Sequence, residues 1–325
     1  MKTVYGYHED HKAHQDHKGF VVLVCFVTLV LVAVGRCAAQ PVTSAQASGA
    51  QADALKFDGA RAFNDLRAMV EIGPRPSGTP AIEKTRDYIR KELSAAGLTV
   101  VEQPFDARTP TGTVHMVNLR ATLPGAAQGK GRIVIGGHYD TKPIKEFRFV
   151  GASDAASSAA FLLEIARALK GRPNPLPIEL LFLDGEEAVV EWRGQDHTYG
   201  SRYYVEQLKK ANATRDVRAF ILVDMIGDTA LGIRREQNST DWLTDAVWSA
   251  ARRLSRPEFL EESTPIEDDH LEFLAAGIPS VDIIDLDYPQ WHTADDTLEH
   301  VSAKSLQTVG DVLLAALPAI ENRLK

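Results

Sequence analysis

The stretch "LPIELLFLDGEEA", residues 176–188, decides how the chain is read. Its first eight residues are almost wholly apolar, the pattern of a strand buried on both faces. Asp184 and Gly185 stop the run, and two adjacent glutamates, Glu186 and Glu187, follow. A strand covered on both sides belongs inside a parallel sheet flanked by helices. Taken alone, an acidic pair at its exit reads as a solvated turn or a helix cap; set beside similar sites, it reads as the wall of a ligand crevice.

Working outward, apolar strand patterns and helical periods alternate. Strands are expected at 98–105, 113–123, 132–140, 217–227 and 278–286, besides 178–184. Helices are expected at 60–72, 81–97, 155–171, 201–210, 240–254 and 302–324. That alternation predicts an α/β fold with a doubly wound, mostly parallel sheet. No internal repeat and no second domain interrupts residues 58–325.

The polar chemistry collects where the strands stop. "GGHYD" (136–140) gives His138 and Asp140, and "FVGASDAA" (149–156) gives Asp154. "LVDMIG" (222–227) gives Asp224, and "PQWHT" (289–293) gives His292. In open α/β sheets ligands bind beyond the carboxyl ends of the strands, so these distant residues can converge. Imidazole and carboxylate oxygen are donors that zinc accepts, and a catalytic zinc keeps one position open. Adjacent glutamates can divide labour there, one on the metal and one moving protons. Singly, each residue has a plain structural role to fill, Asp154 as a cap for the helix after it. Together at strand ends they point to a metal site.

The formal net charge of −8 removes the electrostatic footprint that nucleic acid requires. Residues 20–34, "FVVLVCFVTLVLVAV", are an apolar run of about 15 residues, short against the ~20 of a membrane span. With the polar stretch before it and "GRCAAQP" after it, the run reads as a signal peptide over 1–39, with an uncleaved anchor as the alternative. Residues 40–57 are expected to be a flexible linker, and 58–325 the catalytic domain. The protein is thus expected to be exported, periplasmic or extracellular, with membrane contact only through that anchor. Both cysteines, Cys25 and Cys37, fall in the leader, so the processed chain has no disulfide. The sequence gives no oligomeric state.

The order H-x-D, G-A-S-D, D-G-E-E, V-D, W-H-T resembles the M28 family of zinc aminopeptidases over about residues 60–320, "IGPRPSGTP" (72–80) included. Within it, "DGEEA…W…QD…YGSR", "IEDDH" and "WHTADD" resemble the glutaminyl-peptide cyclotransferases, the glutaminyl cyclases. The resemblance implies a three-layer α/β/α sandwich with a mixed, mostly parallel central sheet. It implies zinc held by Asp154, Glu187 and His292, with Glu186 as the proton-moving residue and Asp224 and Asp268 in the network behind it. Trp192, Trp291 and Tyr288 would line the pocket for a peptide with N-terminal glutamine.

Two further readings stay open. In a two-zinc aminopeptidase His138 and Asp224, with Asp154 bridging, would bind a second zinc. A close Asp224–Asp268 pair would share a proton and make Asp224 a poor ligand, which favours one zinc. A non-catalytic binding ectodomain is the third reading, although no ligand position is lost. The chain also departs from the animal cyclases. Glu267 stands where they carry an amide, and the loop holding Tyr288 and Trp291 is one residue shorter. Residues 225–239 match no assigned segment, so Arg234, Arg235 and Asn238 read as a solvated loop, with binding of the substrate's peptide portion as the alternative.

Overall fold

The computed structural model describes residues 55–127 and 131–325. The expected leader and nearly all of the expected linker lie outside the described residues. At the linker's end, Phe57 is already part of the body: it is buried and stacks on Phe161 with ring centroids 5.0 Å apart.

Strands β1 (Val100–Thr109), β2 (Gly112–Leu123), β3 (Arg132–His138), β4 (Ile178–Leu183) and β5 (Val217–Asp224) join one sheet. Strands β6 (Ile233–Glu236) and β7 (Phe259–Thr264) form a small separate pair, and β8 (Ser280–Ile284) closes the main sheet. The main sheet runs in the order β1-β2-β4-β3-β5-β8. Its last four strands are parallel, and β1 and β2 run antiparallel, so it is mixed as expected.

The parallel strands are buried on both faces, and their alternate residues enter different layers. Ile133, Ile135, Leu180, Phe182, Ile221 and Val223 pack against one group of helices. That group comprises α1 (Gly59–Ile72), α2 (Pro80–Ala95), α3 (Ser158–Ala168), α5 (Asp241–Arg253) and α7 (Ala303–Leu324). Val134, Leu181, Leu183, Phe220 and Leu222 face α4 (Tyr199–Lys210) and α6 (His270–Ala275) on the other side. Each fully buried Leu or Phe contributes roughly 1.5–3 kcal/mol. A one-residue slip would exchange the two sets, so register is firmly held. It also fixes which residues stand at the strand ends.

Two helix starts match their sequence signals. Thr79 caps α2 by accepting from the Ile82 N–H, with Pro80 in the first turn. Ser302 caps α7 through Ser305 N–H.

Three elements depart from expectation. Residues 233–236 are strand β6, not a solvated loop. Arg235 pairs there with Glu261 and Asp245, Arg234 with Asp287, and Asn238 donates to Glu236. Strand β7 and helix α6 were also unexpected. Both are six residues long, and β7 shows too little apolar alternation to stand out.

Buried Glu236 ties this small unit down. It accepts from Asn238 N–H (2.9 Å), Ser239 N–H (2.7 Å) and Ile266 N–H (3.2 Å), and lies 3.0 Å from His270 Nε2. Burial works to raise its carboxyl, but His270 and these amides outweigh it and hold the pKa near about 2. A depressed carboxylate stabilises the fold above its unfolded pKa and loses that contribution as pH falls through its folded one. Glu236→Gln should therefore cost about 2 kcal/mol near neutral pH. In urea titrations at several pH values the gap to the parent should close between about pH 4.5 and pH 2. A gap that stays constant across that window would contradict the assignment.

Candidate metal centre

Three adjacent parallel strands deliver the first side chains. His138 ends β3, Asp224 ends β5, and β4 runs directly into Asp184, Gly185, Glu186 and Glu187. Gly185 takes φ +75°, and a Cβ on it would meet Met116 Sδ at 2.4 Å, so glycine alone fits this bend. Gly151 does the same for the loop after β3. Its φ is +52°, and a Cβ would meet the Asp154 carbonyl at 1.9 Å. Asp154 itself leaves helical geometry (φ −98°, ψ 82°), which turns its carboxylate inward rather than into a cap.

His292 arrives on the loop after β8 with φ +52°, a left-handed conformation that is costly for a side chain bearing Cβ. Phe149 packs edge-on against its ring at 5.8 Å. His292 Nε2 lies 3.1 Å from Asp154 Oδ2 and 3.3 Å from Glu187 Oε1. Ligand atoms of Asp154, Glu187 and His292 all fall within 4.8 Å of one another.

A second group abuts the first. His138 Nε2 is 3.0 Å from Asp224 Oδ1 and 3.3 Å from Asp154 Oδ1, so Asp154 belongs to both. Asp224 Oδ1 is also engaged by Ser158 Oγ–H and Met225 N–H. His138 Nδ1 lies 3.7 Å from Glu186 Oε2.

The electrostatics sort these acids. Burial raises the Glu186 carboxyl well above its ordinary range, with Glu187, Asp268 and Asp269 adding to it against the pull of His138. Burial and then Asp224 raise Asp268 in the same way. Asp154 goes the other way. Burial would raise it, but the His138 and His292 imidazoles outweigh burial and hold it well below the carboxylate range. Burial would lower His292, but Asp154 and Glu187 outweigh it and lift its pKa to about 9.

Comparison with known proteins settles the family. Residues 118–317 match the model for peptidase family M28. The chain belongs to peptidase family M28. It is 31% identical over 285 residues to the "Glutaminyl-peptide cyclotransferase-like protein" of Mus musculus, covering 78% of this chain and 73% of that one. A glutaminyl cyclase from an Acidobacteriales bacterium superposes with a TM-score of 0.80 at 37% identity, over 86% of this chain and 100% of that chain. A Zn-dependent exopeptidase from Parabacteroides distasonis superposes with a TM-score of 0.73 at 26% identity, over 83% and 100%.

Zinc fits this M28 site. One imidazole nitrogen faces two carboxylate oxygens, and its single hydrogen cannot serve both. Asp154 Oδ2 is buried 3.1 Å from that nitrogen yet makes no well-formed hydrogen bond. A cation between the three donors satisfies all of them, and zinc takes this donor set. Because such a cation displaces the proton on His292, binding is linked to pH.

The centre opens into a cavity of about 450 Å³. Glu186, Glu187, Asp154, His292, Asp224 and Asp268 line it, with Trp192 and Trp291 as aromatic walls and Val190, Met225, Ile266, Ile284 and Leu286 between them. Trp192 stacks on His197 with centroids 4.3 Å apart and planes 10° from parallel. Asp196 folds that loop by accepting from Val189, Val190 and Glu191 N–H and from Tyr199 O–H.

Tyr288 is not a lining residue of this cavity. Its ring is buried with Met225, Ile266 and Ile284, and its hydroxyl donates to Asp296 Oδ1 at 2.9 Å. The apolar pocket beneath the loop takes the ring, which leaves the hydroxyl one direction in which to find an acceptor.

The sequence reading missed several members. Asp296 accepts from Ser153 N–H (2.8 Å) and Asp154 N–H (3.1 Å), holding the ligand loop from behind. Its only sequence signal was its place in "WHTADD". Asp282 and His270 are wholly buried; His270 had only its place in "IEDDH" as a signal, and no local pattern marked Asp282. Outer groups that orient ligands typically govern metal affinity by 10–100-fold. Asp296→Ala should lower zinc affinity by about that factor in a chelator competition. Unchanged affinity would show that Asp154 holds its position without Asp296.

Proposed function

We propose that the protein is a zinc-dependent glutaminyl-peptide cyclotransferase that converts N-terminal glutamine to pyroglutamate and releases ammonia. The observation that carries this reading is the division between neighbours. Glu187 faces His292 and Asp154, whereas Glu186 lines the same cavity, outside that ligand trio, with a carboxyl that burial keeps ready to hold a proton.

Asp154, Glu187 and His292 would hold one zinc ion. When bound, zinc supplies a Lewis acid that polarises the side-chain amide oxygen of the substrate. Glu186 takes a proton from the substrate's α-amine as its nitrogen bonds to the side-chain amide carbon. The bond from that carbon to the amide nitrogen then breaks. Glu186 returns the proton to this nitrogen, which leaves as ammonia. Trp192 and Trp291 keep the glutamine side chain curled and exclude water, so ring closure gains from orientation. Asp268 accepts a hydrogen bond from the leaving nitrogen or shares its proton with Asp224. Asp224 raises the buried Asp268 carboxyl, and a proton held between the two would favour a single zinc.

A second reading, a two-zinc aminopeptidase, is favoured by the His138–Asp154–Asp224 group. A paired assay separates the two. A glutaminyl peptide should yield ammonia and pyroglutamate, while a leucyl arylamide yields no free arylamine. Glu186→Gln should lower kcat by about 10²–10⁴ with zinc content intact. Arylamine release without cyclisation, or a fully active Glu186→Gln enzyme, would overturn the proposal.

No helix among the described residues is long and apolar enough to cross a membrane. We read residues 1–39 as the export signal. Cleavage after Ala39 leaves Gln40 first, itself a substrate of the proposed reaction. The intact mass of the exported protein should match a chain starting at Gln40 less one ammonia. An intact leader would contradict the export reading.

A further inference from the structure

We infer that the mouth of this cavity selects glutaminyl peptides whose second residue is basic, lysine or arginine. The inference rests on the cyclase reading, because it places the first residue inside and the second at the rim.

Two observations meet at the mouth. The first is charge. Deep in the cavity, Asp154 and Glu187 would be balanced by zinc, and Asp224 is already engaged by His138 Nε2 at 3.0 Å, Ser158 Oγ–H and Met225 N–H. The one lysine or arginine among the described lining residues, Lys142, is engaged with Glu187 Oε2 at 3.2 Å. Glu191 and Glu267 also line the cavity but are exposed, and neither has a close Lys or Arg partner. Among charged partners Glu267 has only His197 Nε2, 3.7 Å away, and Trp192 stacks on that imidazole. Burial holds His197 below its ordinary pKa, so it does not cancel that charge near neutral pH.

The second observation is apolar surface. Among the described residues the exposed large hydrophobics are Val101, Val190, Leu254 and Trp291, and two of these four, Val190 and Trp291, line this cavity. Trp291 is 43% exposed, with its indole tilted over His292 at 4.5 Å. A long aliphatic stem ending in a cation suits such a rim. The stem covers Val190 and Trp291, and the charged end reaches the free carboxylates or the indole face. An acidic second residue would meet like charge.

The test is kcat/KM for three peptides in which lysine, alanine or glutamate follows N-terminal glutamine. The order expected is lysine, then alanine, then glutamate. The lysine-to-glutamate ratio should be about tenfold at low salt and shrink as ionic strength rises. In Glu191→Gln/Glu267→Gln the ratio should fall toward one. It is read within each enzyme, so any general loss of turnover cancels. The comparison also separates the rim from the overall negative charge, which the double variant leaves largely in place. Cyclisation of all three at equal efficiency would overturn the inference and leave the cyclase reading standing. A preference unchanged in the double variant would overturn it too. Cyclisation of none would remove the cyclase reading and the inference with it.

Discussion

Two carboxylates, Asp154 and Glu187, are buried against one imidazole nitrogen, and the site depends on that contact. At the separations found here, within 4.8 Å, bare carboxylates repel by about 4 kcal/mol at an effective dielectric of 20. Folding does not avoid this repulsion. Gly151 and Gly185 bend the chain toward it, His292 takes a left-handed backbone to join it, and Asp296 holds Asp154 from behind. An arrangement that many elements hold against its own electrostatics is one built for a cation. Without one, the His292 imidazolium substitutes, consistent with its raised pKa of about 9.

Behind that contact the acids change character. Asp268 and Asp282 are pushed well above the carboxylate range, burial first and neighbouring acids second, and Asp269 reaches about 7. Ser201 donates to Asp269, Glu236 lies 3.0 Å from His270, and His270 Nδ1 lies 3.6 Å from Asp282. Asp268 and Asp282 thus favour the protonated form, whereas Asp154 in front of them is held ionised by the two imidazoles. Glu186 stands between the protonated acids and the ionised one, which is where a group that picks up and returns one proton has to be.

The sequence showed the sheet because its central strands are buried on both faces and leave apolar runs such as residues 180–183 and 219–223. Apolar runs that end abruptly in an acid or histidine marked His138, Glu186, Glu187 and Asp224, whereas Asp154 and His292 lie on segments beyond β3 and β8, and the resemblance to the M28 family is what singled them out as proposed ligands. What it hid lies where position comes from tertiary contact. Strand β6 reads "IRRE", and its arginines are paired by residues 10 to 53 positions away. Tyr288 stands four residues from His292, and nothing local reveals that its ring turns inward and its hydroxyl reaches Asp296. Asp196 stands in the quoted motif as the end of "QD", but only the structure shows its carboxylate closing the Trp192 loop.

The most direct test is a crystal structure of the purified enzyme with anomalous scattering collected on either side of the zinc edge. The account predicts one anomalous peak per chain, bonded to Asp154, Glu187 and His292, with Glu186 free beside it. A second full peak between His138, Asp154 and Asp224, or a metal bound to Glu186, would contradict it.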